Sequence, residues 1–316
     1  MIPAGNGLAR RVTRGTMESG PRTHLTERYA LPDASIIRET FNHAADRYDR
    51  HAALEQEVCR RLLERCDFHR QPPQRILDLG CATGQGSQAL KRKFPRAQVI
   101  GLDASTAMLA RLRRRSALLR PLRRVCADLA SLPFAGQTMD LLFSNLANHW
   151  VPDPLSLFDE FRRVLRPGGL MLFATLGPGT LAEWCESRTT AGAALTMRAL
   201  PDLMEVGDAM MAAGFREPVM DMERITLEYP SQEALVRELE CTGTSMLVLG
   251  WEAWKTARQG LETPIEPRPV DGGLSVAFEI VYGTAFGPPE GQPRRTQHGD
   301  VATFSVDSLL TSRKLG

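Results

Sequence analysis

The 316-residue sequence is poor in aromatics, at 6%, and has almost no charge excess, with 39 Lys+Arg against 37 Asp+Glu for a net charge of +2. A chain so balanced, without interleaved aromatic platforms, is not suited to wholesale nucleic-acid binding. No stretch approaches the ~20 consecutive apolar residues needed to span a bilayer, so no membrane partner is expected. Six cysteines (Cys59, Cys66, Cys81, Cys126, Cys185 and Cys241) lie far apart, with no C-x-x-C pair and no His at ligand spacing. That spacing argues against a metal centre or a disulfide framework and for reduced thiols in a cytoplasm. The dinucleotide fingerprint G-x-G-x-x-G and the P-loop G-K-[ST] are both missing, which disfavours nicotinamide and nucleotide-triphosphate chemistry.

What is present is 43% hydrophobic content, enough for a substantial core. Residues 1–32 contain Arg10, Arg11, Arg14, Arg22 and Arg28 but no apolar run to make a secretory signal. Interrupted by glycines and Pro21, they read as a basic, flexible tail. Asp33 or Ser35 is placed to cap a helix carrying Ile36, Ile37, Phe41, Ala44, Ala45 and Tyr48, and a second helix runs from Ala52 to Cys66.

From there short apolar runs alternate with helical patterns. Strands are expected at 75–79, 98–102, 125–127, 139–144 and 170–175, and a helix before Pro167-Gly168-Gly169. Such alternation predicts a doubly wound parallel α/β sheet. Further on, 182–213, 233–239 and 251–260 read as helices and 220–229 and 276–283 as strands. The domain is expected over 33–286, with 287–316 a loop or flexible tail.

In an open α/β sheet ligands bind beyond the carboxyl ends of the strands, where the strand order reverses. Here that point is Asp78-Leu79-Gly80-Cys81-Ala82-Thr83-Gly84, whose glycines allow a sharp turn and close backbone approach. The second strand ends in Asp103, where a carboxylate either accepts both hydroxyls of a ribose or caps the next helix. Asp128, with Leu129 beside it, either meets an adenine amino group or caps the turn before Pro133. Asp78 either bonds the loop amides or touches a ligand directly.

Taken together, Asp78–Gly84, Gly101-Leu102-Asp103-Ala104-Ser105 with Met108-Leu109, Ala127-Asp128 and Arg166-Pro167-Gly168-Gly169 resemble the class I S-adenosylmethionine-dependent methyltransferases. The resemblance implies a Rossmann-like, mainly parallel seven-stranded sheet with helical lid insertions, the lid at about 177–215, and S-adenosyl-L-methionine as cofactor. It assigns Gly80, Cys81 and Gly84 to the methionine part of the cofactor, Asp103 and Ala104 to the ribose, and Asp128 with Leu129 to the adenine. Met108 and Asp78 join that set. Ala82 departs from the pattern, which more often has glycine there.

A narrower resemblance covers about 41–282. It rests on Phe41-Asn42-His43-Ala44-Ala45-Asp46-Arg47-Tyr48-Asp49, Leu54-Glu55-Gln56, Ser144-Asn145-Leu146-Ala147, Gly177-Pro178-Gly179-Thr180-Leu181, Val206-Gly207-Asp208-Ala209 and Phe278-Glu279-Ile280-Val281-Tyr282-Gly283. These stretches resemble the malonyl-acyl-carrier-protein O-methyltransferases of biotin synthesis. The partner implied is an acyl carrier protein bearing a malonyl thioester, methylated on its free carboxylate.

That resemblance points to Tyr48 closing the pocket, Arg198 holding the acceptor carboxylate, and Gln56 and Asn145 reaching the amino-acid end of the cofactor. Two departures stand out: Glu240 to Ser245, followed by Trp251, and His149 where glutamine is common. A carboxylate acceptor needs no general base, so His149 discriminates: it would act as base only for a phenol, hydroxyl or amine. The alternatives are a methyltransferase with a small-molecule acceptor and a non-catalytic binding protein of the same fold. The arginines at 111, 113, 114, 115, 120, 123 and 124 form either a solvated helix face or a dock for an acidic protein.

Overall fold

A computed structural model describes residues 31–68, 72–117, 121–190, 198–248, 273–289, 294–296 and 299–301. The N-terminal and C-terminal tails and the 251–260 helix expected from the sequence lie wholly or largely outside the described residues.

Chain order begins with α1 (Ala34–Ala44), the single turn α2 (Tyr48–His51) and α3 (Ala53–Glu64). Asp33 caps α1, its side chain accepting from the Ser35 N–H at 2.7 Å. The sheet follows as β1 (Arg75–Leu79), α4 (Gln85–Lys93), β2 (Gln98–Asp103), α5 (Thr106–Arg115), β3 (Arg123–Cys126), β4 (Met139–Asn145), α6 (Pro154–Val164) and β5 (Leu165–Leu176). Then come α7 (Ala182–Thr190), α8 (Leu203–Ala213), β6 (Arg216–Tyr229), α9 (Gln232–Cys241) and β7 (Leu274–Phe286).

The strands form one seven-stranded sheet in the order β3-β2-β1-β4-β5-β7-β6. Pairing is parallel from β3 to β5, and β7 runs antiparallel to both of its neighbours. Order reverses at β1, which lies between β2 and β4, so a crevice opens beyond the carboxyl ends of β1 and β4.

Strand periodicity sends alternate residues to opposite faces. On one face Ile76, Val99, Leu141, Phe143 and Leu172 pack with Leu54, Val58 and Leu62 of α3 and Leu90 of α4. On the other, Leu77, Leu79, Leu102, Leu142 and Phe173 pack with Phe158 and Phe161 of α6 and Val206 and Met210 of α8. Each such side chain contributes roughly 1.5–3 kcal/mol by leaving water. Leu62 is fully buried, and α3 is thereby fixed on the sheet.

Two helices and part of the C-terminal tail differ from the sequence reading: within the stretch expected to be a loop or flexible tail, Arg294–Thr296 and Gly299–Val301 pair as an antiparallel hairpin. The first helix ends at Ala44, and Tyr48 opens a separate turn. The helix expected over 182–213 is two helices, because Pro201 interrupts the pattern and Asp202 starts α8 with a capping box to Glu205.

Polar ties fasten the N-terminal helices over the crevice. Asn42 Oδ1 accepts from the Ser105 hydroxyl at 2.7 Å and from the Ala107 N–H at 3.2 Å. Asp49 accepts from Thr83 Oγ1 at 2.5 Å and Gln85 Nε2 at 2.8 Å, and is paired with Arg115. Arg111 is paired with Asp46. Two of the seven clustered arginines are therefore committed to holding the cover.

Candidate functional site

The loop after β1 takes its shape from left-handed backbone at Gly80 (φ 67°), Ala82 (φ 45°) and Gly84 (φ 84°). A Cβ at Gly80 would lie 2.3 Å from that of Ala147, so the close approach needs glycine. Ala82 occupies a region that L side chains avoid, which gives a physical reason for glycine being commoner there. Its N–H donates to Asp103 Oδ2 at 2.9 Å, and the Ser105 N–H donates to Oδ1 at 2.8 Å. The helix cap proper is Ser105, which accepts from the Met108 N–H. Burial raises the Asp103 carboxyl to about 6.

Above the loop lies a cleft in two lobes. The larger, about 940 Å³, is lined by Ile37, Arg38, Phe41, Tyr48, Asp103, Ala104, Asp128, Leu129, His149, Trp150 and Thr244 among others. The smaller, about 410 Å³, is lined by Gln56, Cys59, Asp78, Cys81, Thr83 and Gly86 among others. Tyr48, Glu55, Gly80, Ala82 and Asn145 face both, and so form the shared wall.

Asp78 accepts from the Ser87 hydroxyl at 2.5 Å, and burial lifts its carboxyl to about 7. Asn145 Nδ2 donates to the Glu55 carbonyl at 2.9 Å. Gln56 Nε2 donates to the Asp49 carbonyl at 2.9 Å. Asp128 Oδ1 accepts from the Ala130 N–H at 2.8 Å, a tight local turn, while the residue still borders the larger lobe. Burial raises the Tyr48 hydroxyl well above its ordinary range, with the charge of Glu55 adding to it.

Three residues singled out from the sequence do not border the cleft. Met108 is fully buried against Ala44 and Ala45, because its side chain points inward from α5. Gly84 begins α4 and is covered by Leu112, so it shapes the loop from behind. Arg198 stands behind His149, its Nη1 donating to the His149 carbonyl at 3.3 Å. Its charge acts on the cleft through that ring: burial first, and Arg198 second, drive the His149 imidazole down to about 3.

Known proteins place this arrangement in context. A methyltransferase-domain family model matches residues 77–173, the stretch that builds the loop and β1 to β5. The malonyl-[acyl-carrier protein] O-methyltransferase of Laribacter hongkongensis is 39% identical over 89% of this chain and 98% of its own length. That of Halorhodospira halophila is 38% identical over 89% and 97%. The chain belongs to the malonyl-[acyl-carrier protein] O-methyltransferase family.

Among solved structures, a protein of Bacillus halodurans superposes with a TM-score of 0.51 at 16% identity, over 72% of this chain and 99% of that one. At that identity the likeness concerns the fold alone, the Rossmann-like fold of class I methyltransferases.

In this member of the malonyl-[acyl-carrier protein] O-methyltransferase family, the cleft also holds residues that the sequence did not single out. Glu55, beside the expected Gln56, turns inward on α3, and burial raises its carboxyl to about 8. Helical spacing carried the signal: Glu55 precedes the buried Val58 and Cys59 by three and four residues, whereas Gln56 lies off that stripe. Arg38 is the only permanently cationic side chain lining either lobe among the described residues. None of the described residues forms a cluster of three or more His, Cys, Asp or Glu able to hold a metal. None of the described helices is long and apolar enough to cross a membrane.

Proposed function

We propose that this protein transfers a methyl group from S-adenosylmethionine to the free carboxylate of a malonyl thioester on an acyl carrier protein. The observation that carries the reading is the cleft at the strand-order reversal, with Asp103 at the tip of β2 and a glycine-shaped loop at the tip of β1. Two lobes meeting at Gly80 suit a nucleoside joined to an amino acid. Asp103 faces the larger lobe for the ribose, and Leu129 supplies an apolar wall for the base. On the wall between the lobes, Oδ1 of Asn145 and Oε2 of Glu55 are sealed from solvent with no partner among the described residues, so buried acceptors stand ready for N–H groups.

When bound, the donor supplies an electrophilic methyl on a sulfonium. The chain's own task is alignment. A carboxylate with a reference pKa near 4 is ionised at neutral pH and needs no base. Holding both reactants in near-attack geometry can be worth roughly 7–11 kcal/mol. Tyr48 and Phe41, on the N-terminal cover, close the larger lobe and exclude water. We place the acceptor's negative end toward Arg38, because Arg198 is held on the His149 carbonyl.

His149 argues against the alternative of a hydroxyl, phenol or amine acceptor. An imidazole held near 3 is too weak a base to take a proton from any of them at neutral pH. The exposed Arg113, Arg114, Arg123 and Arg124, at the β3 edge of the sheet, suit approach of an acidic carrier protein.

The test is S-adenosylhomocysteine formation with malonyl-loaded against acetyl-loaded carrier protein. Turnover on the malonyl form alone supports the reading. Equal turnover on both, or preference for a phenolic acceptor, removes it.

A further inference from the structure

Two acceptor atoms on the wall between the lobes lack a donor. Glu55, on α3, faces inward on the same side as Val58 and Cys59, and its Oε2 is sealed from solvent. Asn145, at the end of β4, is oriented by its own Nδ2, which donates to the Glu55 carbonyl, and this leaves its Oδ1 equally sealed. Neither oxygen has a partner among the described residues, and both side chains line both lobes.

Buried acceptors without donors are rare, because taking them out of water is costly. Once ionised, the Glu55 carboxylate, with the Asn145 amide oxygen on the same wall, repels an anion and attracts a cation rich in N–H. A primary ammonium, with three donors and one positive charge, meets both needs. We propose that Glu55 Oε2 and Asn145 Oδ1 together receive the α-ammonium of the methyl donor's amino-acid end, and that Glu55 releases a proton as they do so. The proposal rests on reading the cleft as an adenosyl-donor site.

The proton follows from the surroundings. Burial raises the Glu55 carboxyl to about 8, and the charge of Glu238 on α9 adds to that. Tyr48 and Tyr229 also face it, and Asp78, Asp103 and a neutral His149 line the same cleft. None of these is cationic at neutral pH, and the Arg38 guanidinium, which borders the larger lobe, is not among the charges that act on Glu55, so the free protein keeps Glu55 protonated at pH 7. An arriving ammonium brings a positive charge to Glu55 itself and favours the ionised carboxylate. The balance is a carboxylic acid plus an ammonium giving a carboxylate–ammonium pair, with one proton passing to the buffer.

Calorimetric titration with S-adenosylhomocysteine at pH 7, in two buffers of different ionisation heat, counts that proton. The wild type should release about 0.9 proton per ligand more than Glu55→Gln does, Asp78 and Asp103 contributing alike to both. Glu55→Ala should bind S-adenosylhomocysteine roughly tenfold to a hundredfold more weakly. Its affinity for 5′-methylthioadenosine, which lacks the amino-acid end, should stay within about threefold, less than one charge-assisted bond is worth. If Glu55→Ala does not fold, the near-isosteric Glu55→Gln decides through the proton count. Equal proton release by wild type and Glu55→Gln, or equal loss of both ligands in Glu55→Ala, overturns the proposal. Failure of the wild type to bind either nucleoside overturns the donor-site reading instead.

Discussion

Replacing Asp103 by alanine removes the most tightly specified side chain in the cleft. Its oxygens are oriented by the N–H groups of Ala82 at 2.9 Å and Ser105 at 2.8 Å, so the carboxylate is locked in place before any ligand arrives. If it accepts both ribose hydroxyls, two charge-assisted bonds are lost, each worth about 1.5–3 kcal/mol. Affinity for S-adenosylhomocysteine should then fall roughly a hundred- to ten-thousandfold. Calorimetry measures this directly, and thermal unfolding of the same samples confirms that the variant is folded.

Acidity gives a second, independent reading of Asp103. Its carboxyl is raised to about 6 in the fold, so the contribution it makes to stability is present below the ordinary carboxylate value and lost as pH rises through 6. Acidifying from pH 7 toward 4 should therefore favour the ligand-free fold at this residue while weakening donor binding, since the protonated form loses its charge. A folded Asp103→Ala protein that binds within threefold of wild type, with unchanged pH dependence, would refute the reasoning.

Three further outcomes follow. Ala82→Gly relieves a left-handed alanine (φ 45°), a gain of about 1–2 kcal/mol offset by about 0.4–1 kcal/mol of unfolded-state entropy, so calorimetric melting should shift upward by about 1–3 °C. His149→Gln should lower kcat less than about tenfold with no change in the pH profile between 6 and 8, because the ring is already neutral there and moves no proton; general-base loss would cost about 10²–10⁴. Arg38→Ala should raise the acceptor KM about tenfold, the worth of one exposed charge-assisted contact, and leave S-adenosylhomocysteine affinity unchanged; a matching loss of donor affinity would place Arg38 in the donor site.

Much of the architecture could be read from the chain because strand and helix periodicity, punctuated by glycine and proline, reflect local physics. The run from Arg75 to Leu79, bounded by Pro72-Pro73 and Gly80, could hardly be anything but a buried strand leading into a turn. Asp103 was legible for the same reason: a carboxylate ending the second strand has a place fixed by topology. Asn145 and Asp78 likewise border the cleft, each from the strand expected to carry it, and Tyr48 borders it from a separate turn after the helix expected to hold it.

What escaped depends on tertiary neighbours. A glutamate within a helix is by default solvated, so the spacing of Glu55 to Val58 and Cys59 acquires meaning only with α3 docked on the sheet. Arg198 looked like an anchor because it precedes α8 in sequence, yet its reach is decided by the 149–150 turn, which the helical pattern does not encode. Met108 belongs to a motif but points inward, as a residue one turn into an amphipathic helix does. Pro201 broke an apparently continuous helix because propensity near a proline overrides the surrounding pattern.

The most direct measurement is the intact mass of malonyl-loaded carrier protein before and after incubation with this enzyme and S-adenosylmethionine, followed by fragmentation of the released acyl arm. The account predicts a gain of one methylene, located at the malonyl terminus and lost on mild ester hydrolysis. An unchanged mass, or a methyl found on the carrier polypeptide, would contradict it.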